Sequence, residues 1–179
     1  MKNLIRIFLI LIIVGSALGI STSCSEENDC SMTGRPMVNC SLYKVRLEGS
    51  TKMERDTLDS LTITSLGTNE VILNNMKKVV AVSLPLRYTK DTTVFVFHYN
   101  YPKQQDLTDT VYVYHSNTPF FQSLECGYQM KQVIKEVKIG KVENTLIKQK
   151  YQIGSISVIN KEANTNEIQN LQIFYKIRN

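Results

Sequence analysis

Two short stretches, TVFVFHY at residues 93–99 and TVYVYHS at residues 110–116, are β-branched or aromatic at almost every position. Such side chains lose freedom against the preceding turn of a helix but pack well on a pleated surface, so these stretches dictate strand. SLYKVRL from Ser41, DSLTIT from Asp59, EVILN from Glu70, VVAVSLPL from Val79, IGSISVI from Ile153 and NLQIFYKI from Asn170 carry the same chemistry. Turn residues gather between them: GTN at Gly67, YTKDTT at Tyr88, NYPKQQD at Asn100, SNTP at Ser116 and NKEANTNE at Asn160. Short strands at this spacing predict an all-β fold, a single antiparallel β-sandwich of immunoglobulin-like or similar type. One segment satisfies two periods. In MKQVIKEVKI, Met130, Val133, Ile134 and Val137 fall at helical spacing, while Val133, Val137 and Ile139 share the odd face of a strand. Its β-branched content favours a strand, with a short helix as the alternative.

The front of the chain has a different composition. Lys2 and Arg6 lead into IFLILIIVGSALGI, residues 7–20, which holds no charge. At about 14 residues this run is shorter than the roughly 20 that a membrane-crossing helix needs. A positive flank before such a run reads as a cleaved export signal over residues 1–23. The run ends in STSC, and a small residue directly before Cys24 resembles a bacterial lipobox, in which the thiol is diacylated and becomes the first residue of the mature chain. A strict lipobox has Leu three places before the cysteine. Ser21 stands there, a loose form typical of Bacteroidota lipoproteins. An ordinary secreted protein with Cys24 in a disulfide is the alternative. Acyl chains contribute about 0.8 kcal/mol per buried CH₂, so a lipidated Cys24 makes the protein anchored and not spanning. The SEEND that begins at Ser25, with Glu26, Glu27 and Asp29, resembles the signal that sends such lipoproteins to the outer face of the outer membrane; a solvated tether gives the same letters. The layout expected is a signal peptide at 1–23, a lipidated, disordered tether and domain entry at 24–40, and the β-sandwich at 41–179.

The formal net charge is +5, and Lys2 and Arg6 belong to the leader. Much of the rest lies where Lys131, Lys135, Lys138, Lys141, Lys148 and Lys150 meet only Glu136 and Glu143. A nucleic-acid binder needs a stronger field interleaved with aromatics, so no nucleic-acid partner is expected. A solvated sheet face accounts for these lysines, with an anion site as the alternative. With Cys24 committed to lipid, Cys30, Cys40 and Cys126 remain, and in an oxidising compartment two of them pair. Cys30 with Cys126 is preferred because it staples the start of the domain to a distant strand; Cys40 with Cys126 is the alternative. A loop that long is worth roughly 4–5 kcal/mol in the chain-entropy account. Zinc spacings of the C-x-x-C kind are absent.

His98 and His115 occupy the same place in the two look-alike strands. In a hairpin with Tyr99 opposite Thr110, His98 faces Val111 and His115 faces Val94, which separates the rings by more than about 10 Å. They then sit near opposite strand ends, polar tips at a wet rim, and share no metal. The sequence holds no G-x-S-x-G elbow, H-E-x-x-H, phosphate loop or calcium loop, so neither enzyme activity nor a cofactor is expected. Tyr99, Tyr101, Phe120 and Phe121 cluster near predicted strand ends, where they form either a ligand rim or the edge of the core. DTL at Asp56, DSL at Asp59 and DTV at Asp109 resemble the O-glycan acceptor motif of exported Bacteroidota proteins, with Thr57, Ser60 and Thr110 as acceptors; a turn Asp before a strand-starting Thr gives the same letters.

STSC, NDC at Asn28, VVAVSLPLRY at Val79, TVFVFHY at Thr93, DTVYVYHSNTPFF at Asp109 and LECGY at Leu124 together resemble an uncharacterised family of small Bacteroidota lipoproteins. Its members carry S-L-P-L, F-H-Y and C-G-Y motifs, and the likeness runs from about Cys24 to Tyr175. The resemblance implies no activity. The function expected is that of an outer-membrane lipoprotein at the cell surface that binds a glycan or another envelope ligand, with a periplasm-facing accessory subunit of a protein complex as the alternative. The partners expected are the membrane, through the lipid anchor, and a glycan or envelope protein.

Overall fold

A computed structural model describes residues 34–45, 53–55, 57–68, 70–99, 108–124, 126–140 and 151–177. Their regular structure is all strand: β1 (Met37–Val45), β2 (Met53–Arg55), β3 (Leu61–Ser65), β4 (Val71–Met76), β5 (Ala81–Pro85), β6 (Thr92–Tyr99), β7 (Thr108–Ser123), β8 (Gly127–Ile139), β9 (Tyr151–Val158) and β10 (Gln169–Ile177). Two five-stranded sheets pack as a sandwich that does not close into a barrel.

The first sheet runs β2-β1-β10-β9, with β5 also on β1. β5 pairs with the first part of β1, Met37 opposite Pro85, and β2 with the last, Val45 opposite Met53. β1 and β10 run parallel, Leu42 opposite Ile173; the other strand pairings among the described residues are antiparallel. β1 begins at Met37, ahead of the strand read from Ser41, and is buried from Val38 to Leu42 because it has neighbours on both edges. The second sheet runs β4-β3-β6-β7-β8.

Alternation explains how the second sheet meets the first. Thr93, Phe95, Phe97 and Tyr99 of β6 point inward, as do Asp109, Val111, Val113 and His115 of β7. They pack with Leu61 and Ile63 of β3 against Val38, Cys40 and Leu42 of β1 and Leu171, Ile173 and Tyr175 of β10. Residues directly opposite across an antiparallel pair share a face, so the inward odd positions of β6 must oppose odd positions of β7. They do: Phe95 faces Val111 and Phe97 faces Asp109. The expected register, Tyr99 opposite Thr110, fails on this ground, since it sets inward residues against outward ones.

Two more expectations change. The SNTP stretch is no turn; β7 runs through it to Ser123. Pro119 is tolerated because this part of β7 has β8 as its only strand neighbour among the described residues, an edge where a missing N–H costs little. MKQVIKEVKI is strand, as its β-branched content predicts, but its core face is not the odd one throughout. Glu136 pairs with Tyr114 and Ile134 with His115, so Lys135 is an extra residue, a bulge that shifts the parity. Ile134 is therefore buried on the side to which Val137 and Ile139 contribute, and Val133 is not.

The segment between β9 and β10 ties the sheets at one side. Met37 and Asn164 exchange backbone bonds of 3.0 Å, Ile134 N donates to Lys161 O (2.7 Å) and Ala163 N to Gln132 O (3.0 Å). Asparagines hold it in place. Asn170 Nδ2 donates to the carbonyls of Asn160 (3.0 Å) and Glu162 (2.6 Å), and Asn170 Oδ1 accepts from Asn39 N (2.9 Å).

Candidate functional site

β6 begins at Thr92, opposite Tyr114, so among the described residues 116–123 of β7 pair with β8 alone. The two strands continue past the body as a two-stranded arm that turns through Leu124 and Cys126. Gly127 has φ +64°, a left-handed conformation that glycine adopts without cost, and Cys126 N donates to Ser123 Oγ (3.1 Å). The arm's end is apolar and in solvent: Phe120 is 45% exposed, Phe121 53%, Tyr128 76% and Leu124 89%. Phe121 lies directly opposite Tyr128, and their rings meet edge to face with centroids 5.6 Å apart. Strand alternation places Phe120 on the other face of the arm.

The root of the arm is a polar network around one buried histidine, and within it Gln132 Oε1 is buried without a hydrogen-bond partner among the described residues. Asn117 Nδ2 donates to the carbonyls of Arg87 (3.1 Å) and Lys90 (2.6 Å), which turns its Oδ1 toward Gln132 Nε2 (2.8 Å) and His115 Nδ1 (3.2 Å). His115 Nδ1 therefore carries the hydrogen, and Nε2 accepts from the Thr93 hydroxyl (2.9 Å), whose oxygen accepts from Arg87 N (2.9 Å). Burial, the largest influence, holds the His115 pKa below its ordinary 6.5, against the opposing pull of the Asn117 bond. The neutral ring thus fastens the turn after β5 to the point where the arm leaves the sheet.

Of the predicted rim, Phe120 and Phe121 stand at the arm's end, and Tyr101 lies outside the described residues. Tyr99 does not belong there. It is 1% exposed, and its hydroxyl donates to Asp109 Oδ2 (2.8 Å), because its odd position in β6 faces the core. The same oxygen accepts from Ile153 N of β9 (2.8 Å), so this carboxylate bonds the two sheets together. Burial raises the Asp109 pKa, and the Ile153 and Tyr99 bonds moderate the rise. Asp109 is therefore an inward strand residue and no turn Asp. Sequence reasoning missed its role, although its spacing from Val111 and Val113 was a visible signal.

The remaining positions scatter. Thr57 is exposed, whereas Ser60 is half-buried and bonded to Asn75 Oδ1 (2.6 Å). Thr110 is half-buried within β7, its carbonyl accepting from Gly140 N (2.7 Å). His98 projects outward and contacts Thr64 Oγ1 (3.0 Å), while His115 points inward and is fully buried, so the two rings lie on opposite faces and His115 is at no wet rim. Among the described residues no three His, Cys, Asp or Glu side chains gather around a metal position. Cys40 is a free thiol buried in β1, which rules out its pairing with Cys126. Cys24 and Cys30 lie outside the described residues, as do Lys141, Lys148 and Lys150. Lys131 pairs with Glu162 (2.9 Å), and Lys138 pairs with Glu136 (3.1 Å).

Residues 60–175 match a family described as a family of unknown function, DUF6452. The chain belongs to that family. The matched part of this DUF6452 protein contains the whole second sheet, the arm, the Asp109 and His115 networks and the asparagine-held segment, while β1 and β2 precede it. No curated protein and no solved structure matches the chain.

Proposed function

We propose that this DUF6452 protein is a non-enzymatic binding module of the cell envelope, held on the outer membrane by acyl chains on Cys24, with the β7–β8 arm as its contact element. One observation carries the reading: the arm exposes Phe120, Phe121, Leu124 and Tyr128 together at its end, while its root is held by side-chain hydrogen bonds around the buried His115. A two-stranded ribbon is only marginally stable in water, and exposed apolar clusters of this kind mark interaction sites. A glycan or another envelope component is the class of ligand. Cys30 pairs with Cys126 in this reading, since Cys40 is buried as a thiol, and Thr57 is the exposed candidate for O-glycosylation.

Mass spectrometry of the native mature protein tests the anchor. An acylated Cys24 at the first position is the expected result, and a free thiol at Cys24 or a retained leader sinks it. Surface labelling of whole cells tests the side. A second reading, a periplasm-facing accessory subunit, draws on β4, which among the described strands pairs only with β3 and exposes Val71 and Met76. In-cell crosslinking from position 71 to a protein partner, with no surface labelling, favours that reading.

A further inference from the structure

The geometry points to a lipid surface as what the end of the β7–β8 arm contacts: Phe120, Phe121, Leu124 and Tyr128 enter the interface of the bilayer. The inference rests on the membrane attachment proposed above and names the ligand of the same arm. Its basis is the arrangement of the apolar groups. A protein groove or a sugar ring meets one face of a hairpin. Here Phe121 and Tyr128 occupy one face, Phe120 the opposite face, and Leu124 the very end, 89% exposed. Apolar groups on both faces and at the end of a tip suit a medium that surrounds it. Between Ser116 and Met130 the sequence has a single charged residue, Glu125, so entry removes little charge from water. A glycan site also needs convergent polar groups beside its aromatics. The arm's side-chain hydrogen-bond network lies instead at its root, where His115 and Gln132 both bond Asn117, and Asn117 and Gln132 reach the Arg87 and Lys90 carbonyls.

Lengths agree with this docking. At about 3.3 Å per residue, the Phe121–Tyr128 pair stands roughly 7–10 Å from the end of the arm. Amphipathic elements settle about 5–10 Å into the boundary of headgroups and acyl chains, so entry to the level of Phe121 and Tyr128 matches that depth. The tyrosine ring carries a polar hydroxyl at an apolar end, the arrangement enriched at membrane interfaces.

The chain has no tryptophan, which gives a direct test. Tyr128→Trp supplies a single indole at the tip, and Val71→Trp supplies one on the far edge strand. The mature protein carrying either change is reconstituted in phosphatidylethanolamine and phosphatidylglycerol vesicles, with and without brominated acyl chains. The expected result is a blue shift and quenching by brominated lipid for the indole at position 128, neither for the one at 71, and loss of both signals when Leu124→Asp and Phe121→Ser are added. An acylated protein whose tip indole remains quenchable by aqueous iodide and untouched by brominated lipid overturns the inference and leaves the anchor intact. Crosslinking from position 124 to a protein partner in cells overturns it as well. If mass spectrometry finds Cys24 unacylated, the anchor fails by itself; the chain added to preformed vesicles must still show quenching at position 128, and its absence there overturns the inference too.

Discussion

Asp109 is a carboxylate that the core accepts at a cost. Desolvation raises its pKa, while two hydrogen bonds at Oδ2, from Tyr99 and Ile153, favour the charged form. With the folded pKa above the ordinary 3.8, its contribution to stability is greatest at acid pH and is lost as pH rises through the folded value. Asp109→Asn keeps an oxygen acceptor and removes the charge, so urea denaturation at pH 7 should find it within about 1 kcal/mol of the native protein. Asp109→Ala leaves a buried hydroxyl and an amide without their acceptor and should lose about 2–3 kcal/mol. His115 has the opposite pH dependence. Its pKa lies below 6.5, so the stability it contributes is present above 6.5 and is lost as pH falls toward the folded value. An NMR titration should place the midpoint of its imidazole below 6.5; a midpoint above 6.5 contradicts the bonded neutral ring. Both residues were legible as inward-facing, since they share odd positions with Val111 and Val113. What they bond to was not, because Tyr99, Ile153, Thr93 and Asn117 reach them only once register and bulges are set.

The elements themselves were readable wherever β-branched and aromatic residues ran together. Their limits and offsets were not. SNTP has turn chemistry, yet β8 pairs with it residue by residue, and a local signal yields to that ladder. The hairpin offset between β6 and β7 was misjudged because the loop was taken to set it, whereas the buried faces do. At the far end of β7 the local signal is decisive. Gly127 has open space where a Cβ would stand, so substitution there is limited by its left-handed backbone alone. Gly127→Ala should cost about 1–2 kcal/mol, and Gly127→Asn clearly less, in thermal melts. Equal losses for the two would mean that the turn, not the torsion, is what glycine serves. The arm of β7 and β8 was half visible: Phe120 and Phe121 were singled out, but Tyr128 and Leu124 join them only through the Phe121–Tyr128 register.

At the scale of the whole molecule, the class of fold follows from composition and pattern, and the division of ten strands between two sheets does not. β2 carries no strand signal of its own, and β1 finds β10 across most of the chain, Asn39 opposite Gln169. A pattern in sequence says which face a strand buries, not which strand it will meet. Pairing over such separations is slow to form, so refolding from urea should occupy milliseconds to seconds, as it does for all-β domains of high contact order. Removing the chain from Leu171 onward takes away Leu171, Ile173 and Tyr175 from the core and the parallel partner of β1, and should abolish a cooperative unfolding transition. A truncated chain that still melts sharply would show that the second sheet holds by itself.

Because the strand that completes the centre of the first sheet follows every other described strand, synthesis must pass Ile177 before this body can close. Until Gln169–Ile177 emerges, β1 presents an open edge to whatever handles the nascent polypeptide.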